Sequence, residues 1–116
     1  MLQHVSVEVR PGDVPACVRF YELVGFAHVE APETLKGVAT WLQWGRTQVH
    51  LLHTDSPVNP PAGHLAVVVE DYDATVERLR SAGFEVDPHR EHWGVPRSFV
   101  SDPAGNLVEL MAAPPA

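Results

Sequence analysis

An internal repeat is the feature that most constrains how this chain can fold. The segment HVSVEV at residues 4–9 resembles HLAVVV at residues 64–69, an offset of 60. QVHLL at residues 48–52 likewise resembles NLVEL at residues 106–110 when the two are aligned at an offset of 59, which sets Glu109 against His50. Matches in the same order at a nearly constant offset indicate a duplication.

A helical stretch follows the first strand of each half. The first helix is expected to begin at Asp13, a good N-cap residue, and to end at Gly25. The second is expected to begin near Asp71 or Asp73 and to end at Gly83. In both halves a phenylalanine follows the terminal glycine, which is a third match between the halves.

Three further strands are predicted after each helix, a short one and then a hairpin. The hairpin of the first half turns at residues 45–47 and that of the second at residues 102–106, where Gly, Pro and Asn cluster. The predicted strands are residues 26–30, 38–45 and 48–54 in the first half, and 84–88, 97–101 and 107–112 in the second.

Each half is therefore predicted to be a βαβββ module. Module one spans residues 1–53 and module two residues 64–112, joined by the proline-rich linker at residues 54–63. One such unit cannot bury both its sheet and its helix alone. We expect one α+β domain over residues 1–116, in which a pseudo-twofold relates the modules and wraps them into a cupped, barrel-like mixed sheet with the helices outside.

Composition excludes several classes of partner. The formal charge of −7, from 8 Lys and Arg against 15 Asp and Glu, argues against binding nucleic acid or an anionic membrane surface. The apolar stretches are strand-sized, so no transmembrane helix is expected. The N-terminus lacks a signal-peptide pattern, and the single cysteine, Cys17, cannot form an internal disulfide. A cytoplasmic location is the resulting expectation.

The sequence resembles the vicinal oxygen chelate superfamily, which includes glyoxalases, bleomycin resistance proteins and extradiol dioxygenases. The resemblance rests on the paired βαβββ layout and covers essentially the whole chain. It implies the fold more strongly than the reaction, because the superfamily is chemically diverse. The segments that carry it are FYELVGF, GHLAVVVEDYDATVERLRSAGF and DPAGNLVEL.

The resemblance implies a metal site with two ligands from each module. One ligand comes from the first strand of a module and one from its last. The matching positions are His4 and His50 in module one, and His64 and Glu109 in module two. Imidazole and carboxylate suit a divalent Zn, Ni, Fe, Co or Mn ion.

Strand periodicity is consistent with this assignment. Alternation places His4 with Ser6, and Glu109 with Leu107, each pair on one face of its strand. It also places His50 and His53, three residues apart, on opposite faces, so both cannot bind one metal. The repeat selects His50 as the partner of Glu109.

The implied activity is that of a glyoxalase-like lyase or isomerase acting on an oxygen-rich small molecule. The metal would chelate two neighbouring oxygens of the substrate and stabilise an oxyanion. Glu109 is the candidate general base, as both ligand and proton shuttle. His50 departs from bacterial glyoxalase I, which has carboxylates in both last strands, and this departure weakens the case for glyoxalase-type isomerisation.

Four further residues are candidates for contact with the substrate: Trp41, His92, Trp93 and Arg97. Arg97 could hold a carboxylate. The alternatives to a metal-dependent lyase are a metal-free small-molecule binding protein of the bleomycin-resistance type and an Fe(II) dioxygenase, whose triad would be His4, His64 and Glu109. Because sheet edges are left open, a homodimer is also expected.

Overall fold

The structure is a computed structural model that describes residues 1–115, and it contains the two predicted modules in the predicted order. Two short 3-10 turns, Pro11–Asp13 and Glu33–Leu35, occur in module one. The elements of module one are β1 (His4–Val9), α1 (Val14–Val24), β2 (Ala27–Val29), β3 (Ala39–Trp44) and β4 (Thr47–His53). Those of module two are β5 (Leu65–Val68), α2 (Tyr72–Ser81), β6 (Asp87–His89), β7 (Arg97–Ser101) and β8 (Leu107–Met111).

Each module forms a four-stranded mixed sheet with the same topology. The strand orders are β1-β4-β3-β2 and β5-β8-β7-β6, and the first and last strands of each module pair in parallel. Ser6 lies opposite His50 in one sheet and Ala66 lies opposite Glu109 in the other, so the repeat read from the sequence is preserved in the register. The two sheets are separate and open rather than closed into one barrel.

The helix boundaries agree with the sequence prediction. Asp13 precedes α1, and Gly25 ends it in a backbone conformation, φ 137°, that favours glycine. The side chain of Asp71 caps α2 by accepting a hydrogen bond from the backbone N–H of Ala74.

The strand predicted at residues 84–88 forms later, at Asp87–His89. The backbone N–H of Phe84 donates to Leu79 and closes the end of α2. The carbonyl of Val86 accepts a hydrogen bond from Arg80. These backbone groups are therefore engaged with the helix before the chain reaches the sheet.

One buried core joins the modules. Phe20 and Tyr21 of α1, Leu79 of α2 and the helix-facing side chains of both sheets form a single apolar cluster. Tyr21 also donates a buried hydrogen bond of 2.8 Å to Asp102 in the turn between β7 and β8. Because the helices cover one face of each sheet, the opposite faces remain to carry polar side chains. No helix within residues 1–115 is long and apolar enough to cross a membrane.

Candidate functional site

The face of each sheet that points away from the helices, termed the cup face, carries the candidate ligands. On β4 the side chains of Val49 and Leu51 lie in the core, so that of His50 lies on the cup face. Its ring stacks on Trp41 of β3, with centroids 4.3 Å apart, and on His4 of β1, with centroids 4.0 Å apart. This three-ring stack leaves His50 only 7% exposed.

The environment of His50 favours its neutral form. Burial lowers the pKa of the imidazole, and the neighbouring His4 lowers it further. A neutral imidazole keeps one nitrogen lone pair, which a metal ligand or proton acceptor requires.

Two glutamines support His50 on the same face. Nε2 of His50 lies 2.7 Å from Oε1 of Gln48, whose Nε2 donates to Oε1 of Gln43 at 2.8 Å. Nε2 of Gln43 then donates to the carbonyl of Gly45 at 3.1 Å. Neither glutamine was predicted from the sequence to belong to the site. Alternation on β4 places Gln48 beside His50, but only the register of β3 against β4 brings Gln43 into line.

The second pair of candidate ligands lies at the equivalent place in module two. Nε2 of His64 is 3.2 Å from Oε1 of Glu109, and Nε of Arg97 donates to Oε2 of Glu109 at 2.7 Å. Nδ1 of His64 donates to the carbonyl of Ala62 at 2.9 Å. Both carboxylate oxygens of Glu109 are therefore engaged, and this residue is only 7% exposed.

Opposing effects set the ionisation of Glu109. Burial alone would raise the pKa of the carboxyl, but the hydrogen bonds and positive charges of Arg97 and His64 outweigh burial and hold the pKa below its ordinary value. Arg97 is itself fixed by donating to the carbonyl of Arg90 and by lying over the ring of Phe99. Sequence reasoning assigned Arg97 to the substrate and gave no signal of this contact across β7 and β8.

One chain does not bring the four predicted ligands together. Within residues 1–115, no group of three or more His, Cys, Asp or Glu side chains is placed to hold a metal ion. The residues divide into two half-sites: His4 and His50 on the first sheet, and His64 and Glu109 on the second. The assignment of all four to one metal remains a prediction.

The side chains of each half-site are of types that bind divalent metals, but each half-site has only two of them. The bond from His64 Nδ1 to a backbone carbonyl is the support that metal-binding histidines commonly have, and it turns Nε2 towards Glu109. In the first half-site, by contrast, the rings of His4 and His50 are stacked within 17° of parallel. Nitrogens of stacked rings do not converge on one point, so metal binding there requires a ring to rotate.

The predicted substrate-contact residues have different surroundings. Trp41 lies in the ring stack, and its Nε1 is the only buried side-chain nitrogen or oxygen within the described chain that lacks a hydrogen-bond partner. Trp93 donates from Nε1 to the carbonyl of Ala113, while His92 is exposed. A role for Trp41, His92, Trp93 or Arg97 in binding substrate remains a prediction.

A cavity of about 570 Å³ adjoins the second half-site. His64 and Phe99 line it, with their rings edge to face and centroids 4.9 Å apart. Asp87 and His89 of β6 also line it. Its volume is in the range that small ligands occupy in proteins.

The family model of the glyoxalase/bleomycin resistance protein/dioxygenase superfamily matches residues 2–110. No curated protein matches the chain. Among solved structures, a protein described as a glyoxalase family member from Bacillus anthracis is 28% identical, with a TM-score of 0.84, covering 96% of this chain and 93% of that one.

Two more distant structures show likeness of fold alone. Lactoylglutathione lyase from Agrobacterium tumefaciens is 22% identical with a TM-score of 0.72, and the match covers 96% of this chain and 92% of that one. A fosfomycin resistance protein from Listeria monocytogenes is 18% identical with a TM-score of 0.77, and the match covers 98% and 91% of the two chains.

Proposed function

The chain belongs to the glyoxalase/bleomycin resistance protein/dioxygenase superfamily, and from this premise we propose that it is a small metal-dependent, glyoxalase-like lyase or isomerase. Its substrate is an oxygen-rich small molecule that binds through two neighbouring oxygens. The observation that carries the proposal is the pair of half-sites, each with two ligand-type side chains in contact at repeat-equivalent positions.

A second copy of the chain completes the site in this proposal. Each half-site offers two donors, which is fewer than a catalytic metal takes from protein. If the cup face of module one met the cup face of module two of a partner chain, His4, His50, His64 and Glu109 would be the residues that hold one cation. A twofold homodimer then contains two such sites.

The residues of the chain divide the chemistry between them. A divalent cation, when bound, supplies Lewis-acid stabilisation of a developing oxyanion. Glu109 is the group that would accept a proton, because it is the one carboxylate among the four candidate ligands. Arg97 holds that carboxylate in place, and the cavity beside Phe99 receives the substrate.

Reconstitution with metal tests this proposal. Chelator-stripped protein is dialysed separately against Zn, Ni, Co, Mn and Fe(II), and the bound metal is measured by mass spectrometry. The expected result is about one equivalent per chain of at least one metal. The matched control is His53→Ala, which removes a histidine from the opposite face of β4 and should keep its metal. Less than about 0.2 equivalents of every metal in the wild-type protein overturns the proposal.

A metal-free binding protein is the second candidate function. Two observations favour it. Both carboxylate oxygens of Glu109 already have partners, Arg97 and His64, without a metal. The stack of Trp41 on His50 also offers a flat aromatic surface. This function predicts that a planar aromatic ligand quenches tryptophan fluorescence with the same affinity in the presence and absence of excess chelator. A requirement for added metal excludes it.

A further inference from the structure

The hydrogen bonds around His50 form a chain whose direction is fixed at one end. The backbone carbonyl of Gly45 can only accept, so the group that Gln43 turns towards it is its amide nitrogen. Side-chain amides are otherwise ambiguous, because their oxygen and nitrogen atoms have similar shapes. The carbonyl of Gly45 therefore orients the first glutamine.

That orientation is passed on to the imidazole. With its nitrogen on Gly45, Gln43 presents Oε1, which accepts the amide N–H of Gln48. Gln48 then presents its own Oε1 to Nε2 of His50, at 2.7 Å. An amide oxygen can only accept, so the proton of this last bond belongs to Nε2.

We propose that Gln43 and Gln48 are positioning residues that hold His50 as the Nε2–H tautomer and leave Nδ1 as its lone-pair donor. No hydrogen bond within residues 1–115 involves Nδ1 of His50. Since Trp41 Nε1 is the only buried, unpartnered side-chain nitrogen or oxygen in that range, Nδ1 of His50 reaches solvent. It is thus both unprotonated and accessible.

This tautomer specifies how His50 takes part in the site. The inference rests on the proposed function only for its last step, in which Nδ1 rather than Nε2 binds the metal. The hydrogen bonds of Gln43 and Gln48, here called the relay, then do what a carbonyl or carboxylate does for many metal-binding histidines: they fix which ring nitrogen carries no proton. Gln43 makes none of its hydrogen bonds with His50 and acts through Gln48 alone.

His53 provides an internal reference on the same strand. Its Nδ1 lies 3.1 Å from the carbonyl of Gly37, which can only accept, and its Nε2 lies 2.8 Å from the hydroxyl of Thr40. The neutral ring of His53 must therefore carry its proton on Nδ1. The two histidines of β4 are assigned opposite tautomers.

Long-range ¹H–¹⁵N correlation spectra of the metal-free, ¹⁵N-labelled protein test the assignment directly. Spectra recorded at about pH 8, above the reference pKa of imidazole, distinguish protonated from bare ring nitrogens, because the two have well-separated ¹⁵N shifts. We expect a protonated Nε2 and a bare Nδ1 for His50, and the reverse for His53. A protonated Nδ1 on His50 in the wild-type protein overturns the proposal.

A matched pair of variants tests the relay. Gln43→Leu removes the acceptor for Gln48, so both ¹⁵N shifts of His50 should move towards the midpoint and its slowly exchanging Nε2 proton should be lost. Gln43→Glu keeps an acceptor for Gln48 and should retain the wild-type shifts. Gln3→Leu, which removes a contact of His4 only, should also leave His50 unchanged.

The spectrum of His53 reports in each variant whether the sheet is intact. Unchanged His50 shifts in folded Gln43→Leu overturn the relay.

Addition of Zn²⁺ to wild-type protein should then move the Nδ1 resonance of His50, and coordination through Nε2 would contradict the proposed role. Because the tautomer is measured without metal, a protein that shows the expected tautomer but binds no metal contradicts the proposed function and leaves the relay standing.

Discussion

Nε2 of His64 lies 3.2 Å from a carboxylate oxygen of Glu109, although 45 residues separate them in the chain. The parallel pairing of β5 with β8 creates this contact. The same pairing of β1 with β4 brings His4 against His50. The duplication has therefore produced two half-sites of the same construction, one with two imidazoles and one with an imidazole and a carboxylate.

Removal of His50 should weaken metal binding strongly. In His50→Ala we expect the dissociation constant to rise by more than about 100-fold, the upper end of what the loss of a supporting residue costs. Calorimetric titration of the metal-free protein with Zn²⁺ measures the change in the dissociation constant. His53→Ala serves as control and should stay within about threefold of wild type. Equal losses in the two variants would contradict the selection of His50 by the repeat.

The ion pair between Arg97 and Glu109 should stabilise the metal-free protein. Their side chains are only 12% and 9% exposed, so Arg97→Leu leaves a buried carboxylate short of a partner. We expect the free energy of unfolding in urea to fall by about 2–4 kcal/mol. The double variant Arg97→Leu/Glu109→Leu should lose less than the sum of the single losses, because it removes both charges. Additive losses would show that the contact contributes nothing.

The hydrogen bond from Tyr21 to Asp102 should contribute to the contact between the modules. It is buried and joins α1 to the turn of the second sheet. Tyr21→Phe removes the donor while keeping the ring, and we expect a loss of about 1–2 kcal/mol in the free energy of unfolding. An unchanged urea midpoint would rule out this contribution.

Alkaline pH should destabilise the fold through two buried groups. Burial raises the pKa of Cys17 to about 12 and, together with the charge and hydrogen bond of Asp102, raises that of Tyr21 well above its ordinary value. The unfolded chain releases these protons from about pH 9 and about pH 10, where the folded chain keeps them, so stability falls as pH rises. Tyr21→Phe and Cys17→Ala should each flatten the decline seen in urea titrations between pH 8 and about pH 11. A decline of wild-type slope in both variants would contradict the assignment.

Much of the fold could be predicted from the sequence, because the duplication fixes topology. Two equal modules with a helix after the first strand, Gly25 after α1 and alternating apolar residues on β4 define which face of each sheet is buried. The late start of β6 could not be predicted. Phe26 makes the same bond at the end of α1 that Phe84 makes at the end of α2, and β2 nevertheless begins at Ala27. The delay rests instead on the hydrogen bond from Arg80 to the carbonyl of Val86, a contact without a compositional signal.

The site was predictable in residue type but not in arrangement. Periodicity places His50 and Glu109 on the cup faces, yet it says nothing of Arg97, which reaches Glu109 from the neighbouring strand. It also cannot say whether the two cup faces meet within one chain. That depends on how the sheets pack through the shared core, which is set by side-chain volumes rather than by strand patterns.

A mixed dimer most directly tests the claim that two chains share each site. Two versions of the chain carry different affinity tags. One has the substitutions His4→Ala and His50→Ala, and the other has His64→Ala and Glu109→Gln. Neither homodimer retains an intact ligand set, whereas a mixed dimer has one, built from the intact half-site of each chain. Two-step affinity purification of co-expressed chains isolates the mixed species, and a wild-type pair with the same tags is the control.

The measurement is the metal content of the purified mixed dimer. The account predicts about half an equivalent per chain, against about one for the wild-type pair and none for either variant alone. Failure to recover a mixed dimer from the wild-type pair, or recovery of a mixed variant dimer that holds no metal, would contradict a site shared between two chains.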